Sequence, residues 1–449
     1  MVNVEVPKKS IAIFTNFASD DEAYSLNRVV KDQIKMLVIH GYEPIVIVGD
    51  GFTPNDQPDN PYKLPQVKLK TIPSVPCHNE IKKDESFTSD VENIRDALKS
   101  ILKDVSVVLT HDVVYQPACL KHNFAARQIA KDNKNIKWLH WIHSATSPFR
   151  LANLVNIFPD DFVKLLEVPF PNSYYIFFNH YSVPRISTNF MVPEEMVKVV
   201  YHPTDVFEFY GTDPMVAKLA DEKSFLDCDA ICTYPCRLDD GKQVEMAIKT
   251  MAMLKEFDMK VRMVVIDFHS TGGPKVAYRD RLKDIALDYG MNPQELTFTS
   301  EYCEDWRVEM PHKLVKDFMQ LSNVFVMPSV SESYSLVTQE AALMGHIIVV
   351  NQDFPPFREI FGPNVIFRKY SSAIDVMNGL DGRTNTRYGP SDVSDQEMKS
   401  HEKRYHKDTA GMIAYRLRNY DSKITQIKIR RDRNLRAVFK KQLEPLFYD

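Results

Sequence analysis

Val324–Ile360 reads VFVMPSVSESYSLVTQEAALMGHIIVVNQDFPPFREI, and it sets a short apolar run, a polar turn, a helix and a second apolar run in succession. Val324 to Met327 is β-rich and closed by Pro328. From Ser335 to Met344 the apolar residues Leu336, Val337, Ala341 and Leu343 recur with mixed helical spacing until Gly345, and Ile347 to Val350 is a second buried run. Such a strand, helix, strand unit belongs to a parallel sheet. Ligands of open parallel sheets bind beyond the carboxyl ends of the strands, where the loop Ser329 to Tyr334 falls. Free backbone N–H groups at Tyr334, Ser335, Leu336 and Val337, with the helix dipole, favour an anion such as a diphosphate. Glu340, about two turns in, is too deep to touch phosphate and is placed to accept hydrogen bonds from a ribose.

Two carboxylates, Glu332 and Glu340, also invite a glycosidase reading. Eight mostly helical residues span roughly 12 Å, against about 5 Å for a retaining glycosidase pair and under about 10 Å for an inverting one. The two Glu therefore do not share one glycosidic bond. Spacing alone is a weak signal in a chain with 60 acidic residues, and the context raises it.

Pro328-Ser329, Glu332 to Val337, Glu340-Ala341-Ala342, Gly345, Val349-Val350, Asp353 and Glu359-Ile360 resemble the Glu-x7-Glu signature of the retaining GT-B glycosyltransferases of the group 1 or family-four type. By that resemblance Glu332 touches the donor sugar, the amides around Ser335 and Leu336 the diphosphate, and Glu340 the ribose. Upstream, Asp229 to Tyr234 reads as a strand, and Pro235 to Lys242 (PCRLDDGK) leads into an apolar helix, Val244 to Leu254; this is similar to the family's GRLxxxKG segment, with Cys236 in place of its first Gly. A diphosphate leaving group gathers negative charge as the glycosyl bond breaks, and fixed cations stabilise it. Arg237 and Lys242 are the candidates. The resemblance requires no metal and no cofactor beyond the nucleotide sugar.

Length and composition agree. A chain of 449 residues with 44% hydrophobic content exceeds one ordinary core and suits two domains. A net charge of -4 describes a generic soluble protein, no apolar run approaches a membrane span, and the N-terminus lacks the pattern of a signal peptide; these point to the cytoplasm, or to the periphery of a membrane surface. The six cysteines show no paired framework. Cys228, Cys232 and Cys236 are four apart, and small buried residues account for them better than a metal triad.

The N-terminal half repeats the alternation. Ser10 to Thr15 is a strand, Glu22 to His40 an amphipathic helix with Leu26, Val29, Val30, Ile34, Leu37 and Val38 on its apolar side, and Pro44 to Val48 the next strand. Where the family has Gly-Gly in the first loop, facing the acceptor, this chain has Tyr24-Ser25, which narrows the approach. Val107 to Thr110 and Trp138 to Ile142 are further strands. His143 falls where the family commonly has a His near the donor sugar, and a core or loop histidine is an equal alternative; for His111, His140 and His180 the core or loop reading is favoured.

Lys198 to Gly211 resembles the family's interdomain link. The expected organisation is α/β, GT-B: a Rossmann-like acceptor domain over 1–205, a Rossmann-like nucleotide-sugar donor domain over 206–395, the two doubly wound and facing across a cleft, and a basic helical segment over 396–449 that packs back on the first. Arg416 to Lys441 holds ten Lys/Arg against Asp421 and Asp432, so either a packed helix with Ile427, Ile429, Leu435, Val438 and Phe439 buried, or attraction to an acidic membrane or nucleic acid, fits it. The resemblance implies transfer of a sugar, with retention, from a nucleoside-diphosphate sugar to a hydroxyl of a carbohydrate, lipid-linked or small-molecule acceptor. The alternatives are a viral-type DNA glycosyltransferase acting on hydroxymethylated bases, a sugar-nucleotide epimerase or phosphorylase, and a non-catalytic binding protein.

Overall fold

A computed structural model describes residues 9–21, 24–73, 86–116, 119–143, 168–267, 275–330, 335–370 and 395–449. The short apolar runs are strands. Ile11–Phe14 (β1), Ile45–Gly49 (β2), Lys68–Ile72 (β3), Val107–His111 (β4), Lys137–Trp141 (β5), Ser173–Phe177 (β6) and Val197–Val199 (β7) form one sheet in the order β3-β2-β1-β4-β5-β6-β7, every neighbouring pair parallel. Ala230–Cys236 (β8), Val261–Asp267 (β9), Leu296–Phe298 (β10), Val324–Met327 (β11), Ile347–Asn351 (β12) and Ile366–Arg368 (β13) form a second, also all parallel, in the order β10-β9-β8-β11-β12-β13. Every residue of β1, β4 and β11 is buried, as expected of parallel strands covered on both faces. That burial is why these strands read as continuous apolar runs rather than alternating ones.

The chain divides into two compact units, Met1–Thr204 with Leu435–Asp449, and Asp205–Asn434. Each contains one of the sheets, and each sheet reverses its strand order once, between β1 and β4 in the first and between β8 and β11 in the second. Two Rossmann-like doubly wound domains make this an α/β protein of the GT-B class. The reversal points matter for function, because neighbouring loops diverge there and open a crevice at the carboxyl ends.

The first helix runs Ser25–Ile39, with Tyr24 as an N-cap that makes no side-chain cap bond; the expected start at Glu22 lies outside the described residues. One boundary differs from the sequence reading. The C-terminal segment does not return as a whole to the first domain. Residues 395–434 stay with the second unit, where Ala410, Ile413, Ala414 and Leu417 join its core. Lys249, 3% exposed, pairs with Glu402 at 2.5 Å, and Thr250 Oγ1 lies 2.9 Å from His406 Nδ1. Arg430 is buried and donates to the carbonyls of Leu321 (3.1 Å) and Cys228 (2.5 Å).

Only Leu435–Asp449 joins the first unit, where Leu435, Val438, Phe439, Leu443, Leu446 and Phe447 complete the core under the helix Ser25–Ile39. Phe439 stacks on His40 with centroids 4.1 Å apart. Ile429, expected inside, is exposed, while Ile427 is buried. In the basic strip, Arg416, Arg418, Arg430, Arg431 and Lys440 each bond a carbonyl or carboxylate of their own unit. Much of its charge is thus spent internally. Among the described residues no helix is long and apolar enough to cross a membrane.

Candidate functional site

In the second unit the reversal point joins the loops that the sequence singles out. β8 ends at Cys236, and Arg237 follows directly, its Nε 3.5 Å from Asp239 Oδ2 and its side chain 49% exposed. A single helical turn, Asp240–Lys242, leads to Gln243, which holds φ at 46° immediately before the helix Val244–Met253. Tyr234 Oη donates to the Lys242 carbonyl at 2.9 Å, fixing the backbone that carries the Lys242 side chain. The Gly241 carbonyl accepts from the Val330 N–H at 3.0 Å and from Ser329 Oγ at 3.4 Å, and Asn351 Nδ2 donates to the Ser329 carbonyl at 3.2 Å. The loops after β8 and β11 and the last residue of β12 are therefore clasped by hydrogen bonds, and Arg237 and Lys242 lie on a fixed support beside the loop that precedes the helix Leu336–Leu343.

That helix is eight residues long and starts after Ser335, whose φ is 55°. Ser335 Oγ meets Thr338 Oγ1 at 2.7 Å and makes no cap bond to a backbone N–H. The first-turn amides of Leu336 and Val337 thus receive no side-chain cap, and the dipole at this end favours an anion. Glu332 and Tyr334 lie outside the described residues.

Glu340 needs correcting. The helix begins at Leu336, so Glu340 lies only about 6 Å along its axis, one turn rather than two from the start. Its Oε1 is 3.0 Å from Nε2 of His312, a largely exposed side chain. Such a surface contact contributes about 0–1 kcal/mol and yields readily to a ligand. We expect Glu340→Gln to leave the melting temperature unchanged and to weaken nucleoside-diphosphate binding about tenfold or more, the value of a hydrogen bond to a charged acceptor. Calorimetry on the variant checks this; unaltered affinity would remove Glu340 from the site.

Further carboxylate chemistry escaped the sequence reading. Asp267 ends β9 in register with Cys236, and its carboxylate accepts from Ser300 N at 3.0 Å and Ser300 Oγ at 2.5 Å. Burial pushes its pKa up, against the lowering effect of those bonds and of Arg279. The signal was present as a lone acid closing an apolar strand, VRMVVID. Cys228, Cys232 and Cys236 are buried, and burial raises the first two thiols to about 11 and about 12. No group of three or more His, Cys, Asp or Glu among the described residues is placed to hold a metal ion.

In the first unit a polar cluster sits at the carboxyl ends of β4 and β5. His111 closes β4, Asp112 follows with φ of 61°, and His143 lies two residues beyond β5. His111 Nε2 is 2.8 Å from Gln33 Oε1, and its Nδ1 is 2.9 Å from His143 Nε2. The His143 N–H donates to Tyr115 Oη at 3.2 Å, Tyr115 Oη donates to Asp112 Oδ1, and Tyr24 Oη donates to Asp112 Oδ2 at 3.3 Å. The His202 ring stacks parallel to His143 at 5.9 Å. Burial, helped by neighbouring imidazoles, holds His111 well below the ordinary histidine range and His143 down to about 3. Tyr24 is thus tied into this cluster, while Ser25 is the first residue of the helix and exposed. Asp112, Tyr115 and Gln33 were not legible beforehand, because only the parallel sheet gathers them.

Residues 218–375 match the family model of the glycosyl transferases group 1. No curated protein matches the chain. Among solved structures it is similar to a glycosyltransferase from Rickettsia africae ESF-5, at 13% identity over 98% of each chain with a TM-score of 0.37. A sucrose-phosphate synthase from Thermosynechococcus elongatus is similar at 15% identity, over 93% of this chain and 97% of that one, with a TM-score of 0.31. Anabaena HepE in complex with UDP follows at 13% identity, over 93% and 98%, with a TM-score of 0.29. At such identities and scores these likenesses carry no residue-level correspondence.

Proposed function

We propose that the chain is a glycosyltransferase that moves a sugar from a nucleoside-diphosphate sugar to an acceptor hydroxyl with retention of configuration. One observation carries the reading: the stretch that matches the group 1 family model, residues 218–375, is the stretch whose reversal point clasps the Arg237–Lys242 loop to the loop leading into the helix Leu336–Leu343. Cations and helix amides converging on the carboxyl ends of a doubly wound sheet suit a diphosphate.

In this reading Arg237 and Lys242 stabilise the charge that gathers on the diphosphate, the amides of Leu336 and Val337 receive its oxygens, Glu340 holds the ribose and Glu332 orients the sugar. The bond from the anomeric carbon to the phosphate oxygen breaks as the acceptor oxygen bonds the same face. The acceptor's proton passes to the departing phosphate oxygen, so no carboxylate base is required. The internal commitments of the basic strip favour no second, nucleic-acid acceptor reading.

The test is incubation of the full chain with a panel of nucleotide sugars and simple glycoside, lipid-linked and polyol acceptors, following nucleoside-diphosphate release and the anomeric proton coupling of the product. Acceptor-dependent release with the donor's anomeric configuration kept is expected. An inverted product would overturn retention, and conversion of the nucleotide sugar to an isomer with no net release of nucleoside diphosphate would replace transfer by epimerisation.

A further inference from the structure

One carboxylate locks the loop that leaves the carboxyl end of β1. The Asp20 side chain is 1% exposed. Its Oδ1 receives Lys31 Nζ at 2.8 Å and Asn27 Nδ2 at 3.2 Å, and its Oδ2 receives the Asn55 N–H at 3.1 Å and Asn60 Nδ2 at 2.7 Å. Asn27 and Lys31 lie in the helix Ser25–Ile39, whereas Asn55 and Asn60 lie in the excursion between β2 and β3. These bonds have a single consistent assignment. A carboxylate and a backbone carbonyl only accept, so Asn27 must turn its nitrogen to Asp20 and to the Asp21 carbonyl at 3.1 Å, and its Oδ1 then accepts from Tyr62 Oη at 2.7 Å. Asn60 is fixed in the same way, because its Oδ1 receives the Tyr62 N–H at 3.1 Å. Burial, the largest single influence, pushes the Asp20 carboxyl up, and the bonds from Lys31, Asn55 and Asn60 with the charge of Lys31 bring it below the usual carboxylate value.

The locked loop borders the reversal between β1 and β4, where the crevice of the first sheet opens. At one end the Phe17 carbonyl receives the Gly49 N–H at 2.9 Å, and the Phe17 ring meets Tyr24 edge-on at 5.8 Å. At the other, Tyr24 Oη reaches Asp112, just after β4, at 3.3 Å. Asp20 thus joins the loop after β1, the first turn of its helix and the excursion after β2 into one hydrogen-bonded plate. We infer that Asp20 is a positioning residue for the acceptor: it fixes this wall of the crevice before an acceptor arrives, so that binding does not have to order the loop. An acceptor meeting a loose wall loses affinity by the ordering cost. The acceptor role rests on the glycosyl-transfer reading; the lock does not.

The experiment is amide hydrogen exchange on the full chain without ligand, joined to steady-state kinetics, with Asp20→Asn as the variant. The Asn55 amide, in a loop and bonded to Asp20, should be protected in the unaltered protein, and that protection should fall about tenfold or more in Asp20→Asn while the amides of β1 and β2 keep theirs. We expect the acceptor KM to rise about tenfold or more, with kcat and nucleoside-diphosphate affinity within about twofold. A purely structural role would reduce the active fraction, lowering kcat and leaving KM alone; that result would overturn the proposal. So would a released Asn55 amide with an unchanged acceptor KM, or an Asn55 amide that is open in the unaltered protein or still protected in the variant. Should Asp20→Asn not fold, Asn60→Ala, which frees the excursion but leaves Asp20 its Lys31 and Asn27 partners, gives the same two readings. Absence of turnover in the unaltered chain with every donor would instead be a failure of the transfer reading, visible separately from the exchange.

Discussion

Arg237→Ala should lower kcat/KM by about 10²–10³-fold, the usual loss when one fixed group that stabilises transition-state charge is removed. The fold should hardly notice. The Arg237 side chain is half exposed and its partner Asp239 is 3.5 Å away, so the lost ion pair contributes about 0–1 kcal/mol. Lys242→Ala should behave alike, because the backbone there is held by Tyr234 and not by the lysine side chain. If both cations serve one diphosphate, the double variant will lose less than the product of the single effects, the signature of shared function. Steady-state kinetics beside thermal melts separate the two quantities. An Arg237→Ala enzyme that turns over normally would remove the loop after β8 from the mechanism.

The second large effect is on stability. His111, His122 and His140 are fully buried and burial depresses each, His122 to about 4. His346, also buried, is depressed to about 4. A histidine whose folded pKa lies below its unfolded value of about 6.5 binds fewer protons in the fold than in the open chain, so stability rises with pH up to that value and drains away below it. At pH 5 His122 and His346, each depressed to about 4, forfeit about 2 kcal/mol apiece, and His111 and His140 lose stability in the same direction. Against the margin of a typical domain, about 5–15 kcal/mol, that is a large share. Denaturant titrations at pH 7.5, 6 and 5 should therefore show a steep loss of stability. A flat profile across that interval would mean that these imidazoles are already charged in the fold.

Much of the architecture was written in the sequence, and its legibility has a physical limit. Val324–Met327 was bounded by its own pattern because it is buried on both faces and ended by Pro328. β1, β2, β4, β5 and β12 likewise differ from expectation by about one residue at either end. Helix starts were less legible. Ser335 and Gln243 both stand at positive φ directly before a helix, a conformation that glycine would have advertised and these side chains do not. Tyr24 stands before a helix with no capping side chain to mark its start.

The division of the C-terminal segment was hidden for a different reason. Its sequence shows a continuous basic strip, but what assigns Asp395–Asn419 and Asp421–Asp432 to the second unit is the pairing of Lys249 with Glu402 and of Arg430 with backbone carbonyls, each across more than a hundred residues. The Asp112 cluster shows the same limit. Tyr24, Gln33, His111, Tyr115, His143 and His202 share no spacing; they meet because parallel strands bring their carboxyl ends to one edge.

The donor site itself is settled most directly by calorimetric titration of the full chain with UDP, GDP, ADP, TDP and CDP, without added metal and with Arg237→Ala alongside. Micromolar binding of one nucleotide, weakened at least tenfold in the variant, is the predicted result. Binding of none of the five would contradict a nucleoside-diphosphate pocket at the β8 and β11 loops and, with it, the glycosyltransferase reading.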